Sequence, residues 1–312
     1  MNIEKAKQFI YHNARPLDLS RWKYHFENGN KQEVINCLIT YKNADGGFGH
    51  SLEADCFNPN SSPIQTWAAT EILREIEFED SNHDIIQNIL SYLASGKDFD
   101  NAHNQWMNVV PTNNNYPHAV WWHYNEQGSA FQYNPTACLA GFIIKYADKD
   151  SELYIKACNI AKEAYRFFKD NFPLADMHVI CCYIRLYEYL VDAGKTDLFD
   201  MEDYKNKLTE QVSHNICTDT DRWGKGYVSL PSNLIRSKNS IGYKENMELI
   251  QDEYNFISDC QLQDGSFPIT WKWCNDYKEF EIAENWWKSD IIIKNRLFES
   301  EFAEVNENGK NY

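Results

Sequence analysis

Four groups of side chains in this sequence have the residue types and spacing that chemistry needs. His50, Glu53 and Asp55 stand ahead of Ser62–Pro63, where a carboxylate beside an imidazole could act as general acid and base once burial moves its pKa toward neutrality. Asp176 and His178 form a second acid–imidazole pair. Trp121, Trp122 and His123 precede Asn134–Pro135; paired indoles in a loop can stack on a sugar face or stabilise a cation through the ring quadrupole. Trp271, Trp273, Trp286 and Trp287 place four indoles within 17 residues, more than a core seam needs. The catalytic candidates are therefore Asp55, Asp176, Glu53, His50 and His178. The substrate-binding candidates are Trp121, Trp122, His123, Asn134, Trp271, Trp286 and Trp287.

Each group also has a plain structural explanation. His50, Glu53 and Asp55 suit a solvated loop or a cap on a helix start, and Asp176 suits a simple N-cap. Trp121 and Trp122 suit the packing of a long loop. Glu284 and Lys288 are four apart and make an ordinary helix-face pair. Gly224 and Gly226 suit a turn as well as a flap.

The elements that must hold these residues are helices. In 82–95 one apolar stripe runs through Ile85, Ile86, Ile89, Leu90 and Leu93, and in 152–171 another runs through Leu153, Ala157, Ile160, Ala161, Ala164 and Phe168. This is the spacing of a helix with one buried face. By contrast, Ala137–Ile144 and Met177–Leu190 are apolar nearly all round, which requires protein on every side. Ser62–Pro63 and Asn134–Pro135 each offer an N-cap residue before a proline at the first helical position. The spacing predicts helices near 2–13, 18–27, 30–42, 62–78, 82–95, 134–147, 152–171, 175–192, 200–215, 244–262 and 280–298, with a weak twelfth in 229–241. Amphipathic and enclosed helices in alternation imply an inner ring within an outer ring. The expected fold is all-α, an (α/α)6 toroid of about six hairpins spanning 1–312 as one domain. The long irregular stretches 97–133 and 216–243 are the places for a site or a lid.

Two turns repeat. One reads Phe256-Ile257-x-x-x-Gln261-x-x-x-Gly265-x-Phe267 with Asp264 before the glycine; the other reads Cys37-Leu38-x-x-x-Lys42-x-x-x-Gly46-x-Phe48 with Asp45. The helix ends, Asp-Gly makes the tight turn, and the aromatic packs back. This pattern resembles the repeat of the squalene/hopene cyclases and protein prenyltransferase β-subunits, with Phe267 in place of the family's final Trp and with Cys37 and Lys42 in place of its aromatic and Gln. The phrases Asp45-Gly46-Gly47-Phe48-Gly49-His50-x-x-Glu53 and Asn134-Pro135-Thr136 also look like bacterial "prenyltransferase-like" proteins. The resemblance implies an α/α toroid whose central cavity takes an isoprenoid or other apolar small molecule, with Asp55 or Asp176 as acid. The cyclases' Asp-x-Asp-Asp, the terpene synthases' Asp-Asp-x-x-Asp and the zinc-binding Asp-x-Cys are all missing, as is the lanthionine cyclases' Cys-His pair. No metal or other cofactor is therefore expected.

The net charge of −16 excludes a phosphate-backbone partner, so no nucleic acid is expected. No apolar run is long enough for a membrane span, and the N-terminus has no signal-peptide core. Nine cysteines, an odd number, without a C-x-x-C fit a reducing cytoplasm. Three classes of function follow: a terpenoid cyclase or prenyltransferase-like enzyme, a carbohydrate-active α/α-barrel hydrolase, and a non-catalytic binding protein. The wall of the cavity separates the first two. Hydrogen-bonding Asn, His, Asp and Glu beside tryptophan faces favour a sugar; Phe, Tyr and Leu favour a terpene. The sequence leaves the oligomeric state open.

Overall fold

The computed structural model describes residues 1–126 and 132–303. Among them are twelve α-helices: α1 (Ile3–Asn13), α2 (Pro16–Phe26), α3 (Lys31–Ile39), α4 (Pro63–Glu75), α5 (Asp84–Ala94), α6 (Thr136–Tyr146), α7 (Glu152–Asp170), α8 (Met177–Asp192), α9 (Met201–Asn215), α10 (Pro231–Leu234), α11 (Met247–Cys260) and α12 (Phe280–Phe302). The described strands are β1 (Phe99–Asp100) and β2 (Gln105–Trp106), a two-rung antiparallel ladder pairing Phe99 with Trp106 and Asp100 with Gln105. It is a clasp within the 97–133 stretch and forms no layer of the fold. The protein is all-α, and none of the described helices is long and apolar enough to cross a membrane.

The chain divides into two compact units. One comprises Met1–Val34, Val212–Lys272 and the segment from Lys278; the other comprises Ile35–Gln211 with Trp273–Tyr277. In the first unit α12 packs on α1, α2 and α11. A buried ion cluster ties α2 to α12: Arg21 donates to Asp18 at 3.0 Å and to Asp290 at 2.8 Å. Burial alone would raise the Asp290 carboxyl, but Lys294 and Arg21 outweigh it and hold the group well below the usual range.

In the second unit α6 packs on both α7 and α8. Every residue from Thr136 to Ile144 is buried, as its all-round apolar sequence requires. Leu139, Phe142, Ile143 and Ile144 each contribute about 2 kcal/mol of burial on a transfer scale. In α7 the buried positions include Ala157, Ile160, Ala161, Ala164 and Phe168, the stripe read from the sequence; Leu153 is half-buried.

Ser62 caps α4 through Gln65 N–H with Pro63 at the first position, and Asp176 caps α8 through His178 N–H. At α6 the expected arrangement is displaced by one residue. Pro135 is itself the cap, the helix begins at Thr136, and the Asn134 side chain is released for another role. Helix α3 stops at Ile39 rather than 42, because the N–H groups of Thr40, Tyr41 and Lys42 bond three residues back to Cys37, Leu38 and Ile39, tightening the last turn.

The two sequence repeats fold into the same turn. Asn43 N–H bonds Gly47 O and Gly46 N–H bonds Asn43 O; equivalently, Leu262 N–H bonds Ser266 O and Gly265 N–H bonds Leu262 O. Asp45 accepts from Gly47 N–H, and Asp264 accepts from Ser266 N–H. Gly46 and Gly265 have φ of 88° and 91°, and the Phe48 and Phe267 side chains are fully buried.

Candidate functional site

In the second unit a cavity of about 550 Å³ opens near the starts of α6 and α8. Its polar wall is Asn108, His123, Asn125, Gln132, Asn134, Asn171 and Asp176, with Trp121 beside them. The apolar remainder includes Val109, Phe167, Leu174 and Val179.

Local hydrogen bonding sets several of these side chains in place. On the α6 side, Thr136 clasps β2 by accepting from Trp106 N–H at 3.0 Å and donating to Trp106 O at 3.2 Å. Buried Gln105 accepts from Tyr133 N–H at 2.8 Å, and Tyr133 takes a left-handed φ of 65°. Asn134 follows at the cavity wall, its Oδ1 receiving the Cys182 thiol at 3.5 Å. Burial, with Cys138 next to it, pushes that thiol up, so it stays a neutral donor. On the α8 side, buried Gln211 holds Leu174 at both ends, accepting from its N–H at 2.8 Å and donating to its carbonyl at 2.9 Å. Asp176 follows, with Oδ1 accepting from His178 N–H at 2.8 Å.

The turn bearing Trp121 and His123 is fixed by asparagines. Asn113 donates to Trp122 O at 3.0 Å and receives Asn58 at 2.8 Å. Asn114 pairs reciprocally with the Tyr124 backbone at 2.8 and 3.0 Å. Behind the turn, Nδ1 of buried His118 lies 2.6 Å from Tyr116 O, and its Nε2 lies 3.1 Å from Nδ1 of His123.

Four residues singled out from the sequence therefore meet at one cavity: Trp121, His123, Asn134 and Asp176. The others do not line it. Asp55 is 3% exposed, and its Oδ1 receives the Trp273 indole N–H at 2.6 Å. Glu53 accepts from Asp55 N–H, and the His50 ring lies against Asn43. His178 is exposed on the first turn of α8. Trp122 keeps its indole N–H buried without a hydrogen-bond partner among the described residues. Trp271, Trp286 and Trp287 belong to the first unit. There Trp286 sits under Arg15 at 5.2 Å, and Trp271 meets Trp287 edge-on at 5.5 Å. Of the 97–133 stretch, residues 127–131 lie outside the described residues.

Sequence reasoning missed Asn108, Asn125, Gln132 and Asn171 in the wall, and His118 behind it. The signal available was the density of asparagine between 101 and 125. Among the described residues no three His, Cys, Asp or Glu side chains are grouped to hold a metal ion. Compared with known proteins, the chain matches no family model, no curated relative and no solved structure.

Proposed function

We propose that this cavity binds a neutral, polyhydroxylated small molecule of the carbohydrate class. The observation that carries the proposal is the wall itself: five carboxamides, Asn108, Asn125, Gln132, Asn134 and Asn171, surround a chamber edged by Trp121. Carboxamides both donate and accept without charge, which matches the hydroxyls of a sugar, and an indole face matches its C–H surface. Asn108 adds a specific point. Its Oδ1 is buried with no hydrogen-bond partner among the described residues, an unmet acceptor on a residue of this wall. An isoprenoid would desolvate the amide groups it covers without offering them a hydrogen bond, at a cost of about 1–3 kcal/mol for each group so stranded.

Asp176 is the one carboxylate in the described wall, so the cavity lacks the flanking pair on which most glycosidases rely. Binding, with His123 and Asp176 as the groups able to handle protons, is therefore the core of the proposal. The alternation of enclosed α6 and α8 with amphipathic α7 supports extending it to an α/α toroid of the cyclase and prenyltransferase type. The buried thiols of Cys56, Cys138, Cys158 and Cys182 support a reducing, cytoplasmic setting.

The test is saturation-transfer NMR with a panel of neutral mono- and disaccharides alongside a C15 isoprenoid alcohol. Saturation of sugar protons that disappears in Trp121→Ala is the expected result. Binding of the isoprenoid alcohol with no saccharide bound would overturn the proposal and restore an apolar ligand.

A further inference from the structure

We infer that His123 faces the cavity as a hydrogen-bond acceptor, through an Nε2 that carries no proton, and that buried His118 is the positioning residue that fixes this tautomer. The inference concerns the same cavity as the carbohydrate proposal and, in naming a ligand hydroxyl as the partner of His123, rests on it.

The chain of hydrogen bonds leaves one assignment. Tyr116 O, 2.6 Å from Nδ1 of His118, is a carbonyl and can only accept, so the proton there belongs to His118. His118 is 3% exposed and forms no ion pair among the described residues. In its neutral form the ring carries only that one proton. A neutral ring protonated at Nδ1 has a bare Nε2. That nitrogen lies 3.1 Å from Nδ1 of His123, and the proton between them must come from His123.

The ring geometry agrees. The two imidazole planes differ by 17° and their centroids are 5.4 Å apart, against 3.1 Å between the nitrogens. The difference is what two ring radii occupy, so the contact runs edge to edge along the line of centres. That is the direction of an in-plane N–H···N bond rather than of face stacking. Further support holds His118 itself: its carbonyl receives Asn275 Nδ2 at 2.6 Å, and the Tyr277 ring lies 5.7 Å away.

With Nδ1 of His123 committed to His118, its Nε2 is left bare, and it has no hydrogen-bond partner among the described residues. The His123 side chain lines the cavity. Nε2 therefore meets a ligand as an acceptor, as the Asp176 carboxylate does, whereas the carboxamides can take either role. A ligand must present hydroxyl hydrogens to these two positions, and a deoxy or O-methyl analogue there cannot. This gives the cavity a means of choosing among sugars of similar size.

The test uses the full chain labelled with 15N in its histidine rings, without any ligand, at a pH where His123 is neutral. Signals of His123 are identified by their loss in His123→Gln. The expected result is a protonated Nδ1 and a bare Nε2, the reverse of the preference of free histidine. His118→Phe removes the acceptor and shifts His123 toward the Nε2–H form. His118→Leu, smaller and likewise without an acceptor, gives the same shift should the phenylalanine variant fold poorly. A wild-type His123 protonated at Nε2, or a tautomer unchanged in both variants, overturns the inference. A saccharide panel without a binder overturns the carbohydrate proposal and leaves the tautomer assignment in place.

Discussion

Trp273 donates its indole N–H to Oδ1 of Asp55 at 2.6 Å, across 218 residues of chain. The same short segment is anchored twice more in its own unit: Val120 N–H bonds Trp273 O at 3.2 Å, and Asn275 bonds His118 O at 2.6 Å. Asp55 thus holds the support of the His118–His123 pair rather than the cavity wall. Asp55→Ala strands a buried indole N–H and is expected to cost about 2 kcal/mol, the range for a lost hydrogen bond to a charged group. Asp55→Asn keeps an acceptor and costs less. Urea unfolding midpoints of the two variants check the order.

Arg185 and Glu71 form an ion pair that joins α8 to α4. The guanidinium meets both carboxylate oxygens at 2.7 Å in a two-pronged contact, and Arg185 also contacts Glu188. Breaking a buried pair on one side leaves an uncompensated charge, whereas replacing both partners by apolar residues is often neutral. Arg185→Met is therefore expected to destabilise by about 3 kcal/mol, with much of the loss recovered in Arg185→Met/Glu71→Leu. Equal stability of the single and double variants would refute the coupling.

What could be read from the sequence follows from what periodicity encodes. The enclosure of α6 was legible because eight consecutive residues from Ala137 leave no polar face, and the caps at Ser62 and Asp176 because a capping side chain acts two or three residues away. Both repeats of the Asp-Gly turn were legible for the same local reason. The cavity wall was only half legible. Asn134 and Asp176 stand at the starts of α6 and α8, and Trp121 and His123 lie in the 97–133 stretch that the sequence marks as a place for a site. Asn108, Asn125 and Gln132 lie in irregular chain, where no repeat says which way a side chain points. The bond from Asp55 to Trp273 was not legible, since nothing within reach of Asp55 in sequence announces that indole.

Glu253 supplies a pH dependence. On α11 it is 1% exposed and accepts from Ser232 N–H at 2.7 Å and Ser232 Oγ at 2.5 Å. Burial outweighs these two donors and raises its carboxyl from the ordinary 4.5 to about 7. A folded-state pKa above the unfolded one means that the folded chain holds the extra proton between those values. The associated stability is present in full below about 4.5 and is lost as pH rises through about 7, to a ceiling of about 3 kcal/mol. Glu253→Gln mimics the protonated acid and is expected to flatten the profile of urea midpoint against pH from 5 to 8. A wild-type midpoint that rises over this interval with the same slope in Glu253→Gln would exclude the assignment.

The repeated turn makes the sharpest stability contrast. Gly46 needs its left-handed φ of 88°, and a Cβ built on it would come within 2.2 Å of the Asn88 carbonyl on α5. Gly96, in the same unit, has a comparable φ of 71° but no atom within 4 Å of the built Cβ. Alanine at Gly96 therefore incurs only the backbone term, about 1 kcal/mol. Alanine at Gly46 incurs that term and must also push the turn off α5, because a carbonyl in a helix cannot swing aside as a flexible side chain can. The expected difference between Gly46→Ala and Gly96→Ala is about 2 kcal/mol, read from chemical unfolding of the two variants side by side. Gly265 repeats the arrangement in the other unit, its built Cβ falling 2.3 Å from the Lys5 backbone on α1, so Gly265→Ala belongs with Gly46→Ala. Equal losses at all three glycines would mean that conformational preference alone sets the cost and that the turns do not press on their helices.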